Sequence, residues 1–203
     1  MAMKRLFATI TMLCCCAALT AGCSDEEDVL PNLQKKIVSY LTSAHSPRLI
    51  AEEEIAEQGE LPFYSTFANG SVYRYIEGYF NPDRQSRAEV TRTSKVTITF
   101  RLYEFTGSAI TDSTMPLYTN DAALEAALIE AGLTPGAWRF EPLTVDMRHG
   151  GIIKGLRIAL VGCREGDTAE AYMTYDMAYG DKNFGVLPRE SSVACFFTVN
   201  SVE

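Results

Sequence analysis

Histidine is almost missing from this chain of 203 residues, with only His45 and His149, and these are isolated in sequence. Of the six cysteines, Cys14, Cys15, Cys16 and Cys23 crowd into the N-terminus, leaving Cys163 and Cys195 for the body of the protein. Two distant cysteines and two lone histidines offer no metal-ligand spacing, so no metal site is expected, and nothing resembles a nucleophile–base triad. Basic residues are also few: 18 Lys and Arg face 26 Asp and Glu, a formal charge of −8. Phosphate binding needs clustered Lys and Arg, so nucleic acid is an improper partner for this composition. There is no internal repeat and no low-complexity tract. Beyond residue 19 no apolar run approaches the roughly 20 residues of a membrane span.

What the chain does have begins with a targeting segment. Lys4 and Arg5 precede an apolar run at residues 6–19, the pattern of a secretory signal peptide. Thr20-Ala21-Gly22-Cys23 then resembles a bacterial lipobox, in which the cysteine is acylated and becomes the new N-terminus. The plainer alternative is an ordinary signal peptide with a chance cysteine. Residues 1–22 would be removed, and the mature charge would be 16 minus 26, or −10. Ser24-Asp25-Glu26-Glu27-Asp28 reads as a solvated tether, and it resembles the acidic export signal of lipoproteins displayed on an outer membrane. Two acyl chains at Cys23 suffice for a stable anchor. A location in the cell envelope follows, lipid-anchored to the outer membrane and exposed at the surface.

The remainder suits one domain with an N-terminal extension. In residues 23–70, after the tether, Leu33, Ile37, Val38, Tyr40 and Leu41 are spaced for one helix face. The alternations at residues 71–80 and 96–103 predict strands, the second closing on Thr106-Gly107-Ser108. Residues 115–141 form an insertion, in which Asn120-Asp121 can cap a helix over 122–131 ended by Gly132. It reads either as a lid carrying Trp138 and Phe140 or as surface decoration.

The last quarter is the most informative. Gly150-Gly151 opens a short helix with Ile152, Ile153, Leu156 and Leu160 on one face, stopped near Gly162. Gly166-Asp167 is a tight turn, and residues 168–175 alternate as a half-buried strand. Residues 180–188 form a Gly- and Pro-punctuated loop, and 192–202 a final strand with Val193, Cys195, Phe197 and Val199 on one side. A short helix laid across an antiparallel sheet is the economical way to bury both apolar faces. Cys163 and Cys195 can form a disulfide or remain buried thiols, since nothing in the pattern brings their Cα atoms within about 7 Å.

In order and spacing, Gly150-Gly151-Ile152-Ile153-Lys154-Gly155-Leu156, Gly166-Asp167, Met177-Ala178-Tyr179-Gly180 and Gly185-Val186-Leu187-Pro188 resemble the C-terminal half of FKBP-type peptidyl-prolyl cis-trans isomerases. Pro142-Leu143-Thr144-Val145 and, less specifically, Tyr103, Gly107 and Thr111-Asp112-Ser113-Thr114 extend the resemblance back to residue 71. It implies an α+β fold over residues 71–203, a curved antiparallel β-sheet wrapped around a short α-helix. It also implies rotation about X-Pro bonds of peptides or unfolded proteins, with no cofactor.

The implied roles are as follows. Ile153 directs its backbone N–H at a substrate carbonyl, Tyr179 offers its hydroxyl to another, and Asp112 lies at the pocket edge near Tyr103. Ile152, Leu143 and Val145 line the walls, Leu156 the floor, Cys195 the last strand, and Phe184 with Leu187 the loop over the pocket. Leu156, Leu143, Val145 and Cys195 stand where the family has aromatics, which implies a shallower or wider pocket. Competing readings are an FKBP-like module that holds peptides or unfolded chains without fast catalysis, and a structural envelope lipoprotein.

Overall fold

The computed structural model describes residues 29–133, 136 and 138–203. Cys23 and the acidic segment after it lie outside the described residues. Eight strands make one sheet: β1 Ile50–Ala51, β2 Phe63–Phe67, β3 Val72–Ile76, β4 Lys95–Glu104, β5 Tyr118–Thr119, β6 Leu143–Asp146, β7 Thr168–Met173 and β8 Val193–Val202. Their order is β1-β2-β3-β7-β8-β4-β5, with β6 also paired to β4. Among the helices are α1 Val29–Ser39, α2 Ile55–Gln58, α3 Glu125–Glu130 and α4 Lys154–Leu160.

The sequence pattern anticipates an antiparallel sheet beginning near residue 71, and the structure modifies this at one edge. β2 pairs with β3 antiparallel, but β1 pairs with β2 in parallel, Ile50 opposite Phe63. A parallel pair needs a crossover of a dozen or so residues. The connection supplies one, through the turn Glu52–Glu54 and α2. The extension is therefore part of the sheet and more than a spacer beside it.

Strand alternation sorts the apolar residues onto two faces. On the inner face Val96, Ile98, Phe100 and Leu102 of β4, Ala169, Ala171 and Met173 of β7, and Val193, Cys195, Phe197 and Val199 of β8 join Leu156 and Leu160 of α4 in one buried cluster. On the outer face Tyr73, Tyr172, Ala194 and Phe105 form a second cluster with Ile37, Tyr40 and Leu41. The helical face read from Leu33 to Leu41 thus covers the back of the sheet. Cys163 and Cys195 are buried free thiols, and burial pushes Cys163 up to about 11 and Cys195 further still.

A buried hydrogen-bond cluster fastens this extension down. His45, just after the turn Tyr40–Ala44, places Nε2 2.9 Å from Glu170 Oε2 of β7, and Nδ1 bonds the Pro47 carbonyl. The Tyr172 hydroxyl donates to the same carboxylate oxygen at 2.6 Å. A carboxylate and a carbonyl can only accept, so satisfying both ring nitrogens takes the imidazolium. Burial alone pulls the His45 pKa down, but the Glu170 and Pro47 partners outweigh it and the net direction is upward. A raised folded-state pKa contributes stability that is fully present below the unfolded value of about 6.5 and is lost as pH rises through the folded one. Melting temperature should therefore fall as pH rises above about 6.5, and His45→Gln should flatten that slope; an unchanged slope in the variant would refute the link.

Candidate active site on the inner face of the sheet

α4 owes its position to three local features. Gly150 and Gly151 adopt φ of 82° and 96°, which lets the chain turn sharply into the helix. Ile153 is the N-cap, with φ −58° and ψ 145° and no side-chain cap, so the first-turn N–H groups are left open. At the other end Arg74, an inward residue of β3 that is only 8% exposed, donates from Nη1 to the carbonyls of Ala159 at 2.8 Å and Val161 at 2.7 Å. Its guanidinium also lies 4.9 Å from the Phe67 ring centroid. A cation at the helix C-terminus satisfies carbonyls that have no partner within the helix.

The helix sits very close to the strand beneath it. A Cβ on Gly155 would come within 2.5 Å of Met173 Sδ and 3.0 Å of the Met177 carbonyl oxygen. Only glycine permits that approach without a shift. Because Met177 belongs to the turn Tyr175–Met177 leading to Tyr179, the same contact sets the distance from α4 to the tyrosine.

Tyr179 is half-buried against the inner cluster, and its hydroxyl makes no hydrogen bond to a described residue. Burial pushes its pKa up, and the nearby Cys195 thiol pushes it further. Ile152 and Ile153 pack half-buried against the same cluster, in which Leu156 is 2% exposed and Val145, Leu187 and Cys195 are buried. Leu187 and Phe184 exchange both backbone hydrogen bonds at 3.0 Å, forming a two-residue hairpin with Gly185 at φ 60°. Phe184 stacks on Tyr179, ring centroids 4.3 Å apart at 15°, yet stays 58% exposed, and Val186 at the tip is 85% exposed. Leu143, two residues before Val145 on the same face of β6, is exposed at the rim.

Two of the sequence-derived site residues are elsewhere. Tyr103 lies on the outer face. In the β4–β8 register Leu102 pairs with Cys195 and Tyr103 with Ala194, so the pleat turns Leu102 inward and Tyr103 outward, edge-on to Phe196 at 5.7 Å. Asp112 is near Tyr103 as expected, but in an exposed turn closed by the Thr111–Thr114 hydrogen bonds, where both line an outer-face cavity of about 750 Å³. Tyr103 thus lies across the sheet from α4 and Tyr179, with Asp112 beside it.

Tyr118 and Phe100, which the sequence reading did not assign to the site, take up the inner wall beside Trp138 and Phe140 of the expected lid. Tyr118 pairs with Leu102 and therefore shares its inward face, although it falls inside the stretch read as an insertion. Its ring lies 5.7 Å from Phe100 and 5.3 Å from Trp138, which in turn lies 6.3 Å from Phe140. Asn120 holds this edge in place: Oδ1 accepts from Phe100 N, and Nδ2 donates to the Ile98 and Glu141 carbonyls at 3.0 Å each. The side chain thus does the work of a strand residue between β5 and β6. Asp121 caps the following turn from Ala123 N, and Leu128 of α3 is buried while Ile129 faces out.

Comparison with known proteins adds the following. The sequence model of the family "FKBP-type peptidyl-prolyl cis-trans isomerase" matches residues 122–200, a stretch that contains α4, Tyr179 and Cys195. No curated protein matches. Among solved structures the chain is similar to the N-terminal domain of FKBP42 from Arabidopsis thaliana, at 12% identity and a TM-score of 0.44, over 66% of this chain and 87% of that one. The matched residues belong to the curved open α+β sheet with several short helices described above.

Proposed function

We propose that the protein is a peptidyl-prolyl cis-trans isomerase acting on X-Pro bonds of exported or surface proteins. The observation that carries this reading is the meeting of Tyr179, Ile152, Ile153 and Leu156 beside Cys195 in one apolar cluster. The match of residues 122–200 supports it independently.

The chemistry asks little of the side chains. Amide resonance sets a rotation barrier of about 18–20 kcal/mol, and an X-Pro bond crosses it in tens to hundreds of seconds. A thousandfold acceleration takes about 4 kcal/mol of preferential binding to the twisted amide. The Ile153 N–H, which has no acceptor among the described residues, and the Tyr179 hydroxyl would donate to substrate carbonyls. The apolar floor at Leu156 and the wall at Phe100 and Tyr118 would hold the ring and exclude water. With the phenol held above its ordinary range, Tyr179 stays protonated and nothing in the site titrates between pH 6 and 8.

Tyr179→Phe should therefore lower kcat/KM by about 1–3 kcal/mol, roughly 5- to 150-fold, with no change in the pH profile. Full activity in this variant would remove the hydroxyl from the mechanism. The exposed Phe184 and Val186 favour a second reading, an FKBP-like module that holds apolar segments; suppression of client aggregation with no isomerase activity would mark that case. In either reading we propose that Cys23 is acylated and that residues 25–28 direct the protein outward. Cys23→Ala should then move it from the membrane to the soluble fraction, and a variant still sedimenting with membranes would sink the anchor.

A further inference from the structure

Behind α4, sharing no lining residue with the candidate active site, lies a groove of about 540 Å³. Its apolar surfaces come from the half-buried Phe67, Ile158 and Val161 over the buried Met147, and Arg92, Arg148 and Arg157 line it as well. Arg148 is held by Asp146 at 3.1 Å. The side chains of Arg92 and Arg157 make no hydrogen bond or ion pair with any described residue. In a chain of net charge −8, three arginines around one apolar groove run against the overall balance.

Unpaired guanidinium groups beside an apolar surface suit carboxylates carried next to an apolar side chain, because the planar fork accepts a carboxylate in a bidentate pair. A membrane surface is the poorer occupant. A groove presents its cations within a concavity, which a narrow peptide enters and a flat bilayer surface does not. We infer that this groove binds an acidic peptide segment of another protein chain, with an apolar residue on Ile158 and Phe67 and flanking carboxylates on Arg92 and Arg157. The site is separate from the proline pocket and does not depend on isomerase activity.

The test is a titration of the full chain with the fluorescein-labelled peptide Glu-Asp-Leu-Phe-Glu-Asp and its amide counterpart Gln-Asn-Leu-Phe-Gln-Asn. The acidic peptide should bind at least tenfold more tightly, and more weakly at 300 mM than at 50 mM salt. The double variant Arg92→Gln with Arg157→Gln should lose at least tenfold while melting like the parent and isomerising an X-Pro peptide, if the parent does, at the same rate. Ile158→Asp should weaken binding as well. Equal binding of the two peptides, or undiminished binding by the double variant, would overturn the proposal. So would capture of anionic phospholipid vesicles in place of the peptide. Tighter peptide binding after deletion of residues 24–28 would assign the groove to the chain's own acidic segment, against the inference.

Discussion

Asp167→Ala is expected to lower the unfolding free energy by about 3–5 kcal/mol, the usual result of stranding one partner of a buried ion pair. Asp167 and Arg84 have side chains 1% and 3% exposed. Arg84 donates from Nε to both carboxylate oxygens, at 3.1 and 3.2 Å, and from Nη2 to Oδ2 at 2.8 Å. Arg87 adds a contact at 3.3 Å, and the Arg164 backbone N–H donates at 2.7 Å. Arg84 also donates to the Gly162 carbonyl just past α4, and its guanidinium lies 4.6 Å from the Tyr79 ring centroid. Without the carboxylate a buried guanidinium has lost its counter-charge, and the segment it fastens to the end of α4 is released. Urea unfolding measures the loss, and a change below about 1 kcal/mol would mean that water enters and solvates Arg84.

Leu156→Ala should cost about 2–5 kcal/mol in stability, because the side chain is 2% exposed and the floor cannot collapse freely beneath α4. Isomerase activity should fall with it, measured at a temperature where circular dichroism shows the variant folded. Tyr118→Ala separates the two effects. Its ring is half-buried, so stability should change less, while loss of wall area should lower kcat/KM on the order of tenfold, about 1.4 kcal/mol. Unchanged activity in Tyr118→Ala would remove the aromatic wall from the site.

How much of this was legible in the sequence follows from which signals are local. α4, the turn at Gly166-Asp167 and β8 are written in period and in Gly placement, and they fall where the pattern puts them. The face of β4 was legible too: Val96, Ile98, Phe100 and Leu102 alternate, which turns Tyr103 outward. The resemblance puts Tyr103 at a pocket edge, whereas that alternation puts it on the outer face. β5 has only two residues, too short for any period, so Tyr118 was hidden within an apparent insertion and Asp112 stood in for the strand. Arg74, Asn120 and the Arg84–Asp167 pair act on partners 20 or more residues away, and a polar residue at an inward position carries no mark in sequence of what will satisfy it. The parallel β1–β2 pair is likewise a tertiary outcome.

The central claim is that the apolar cluster formed by α4 and Tyr179 twists X-Pro bonds. The most direct measurement is the cis-to-trans rate of peptides bearing several different residues before Pro, with and without the full chain. The account predicts acceleration that saturates with peptide, stays flat from pH 6 to 8 and falls in Tyr179→Phe. A folded protein that leaves the rate unchanged for every peptide would contradict it.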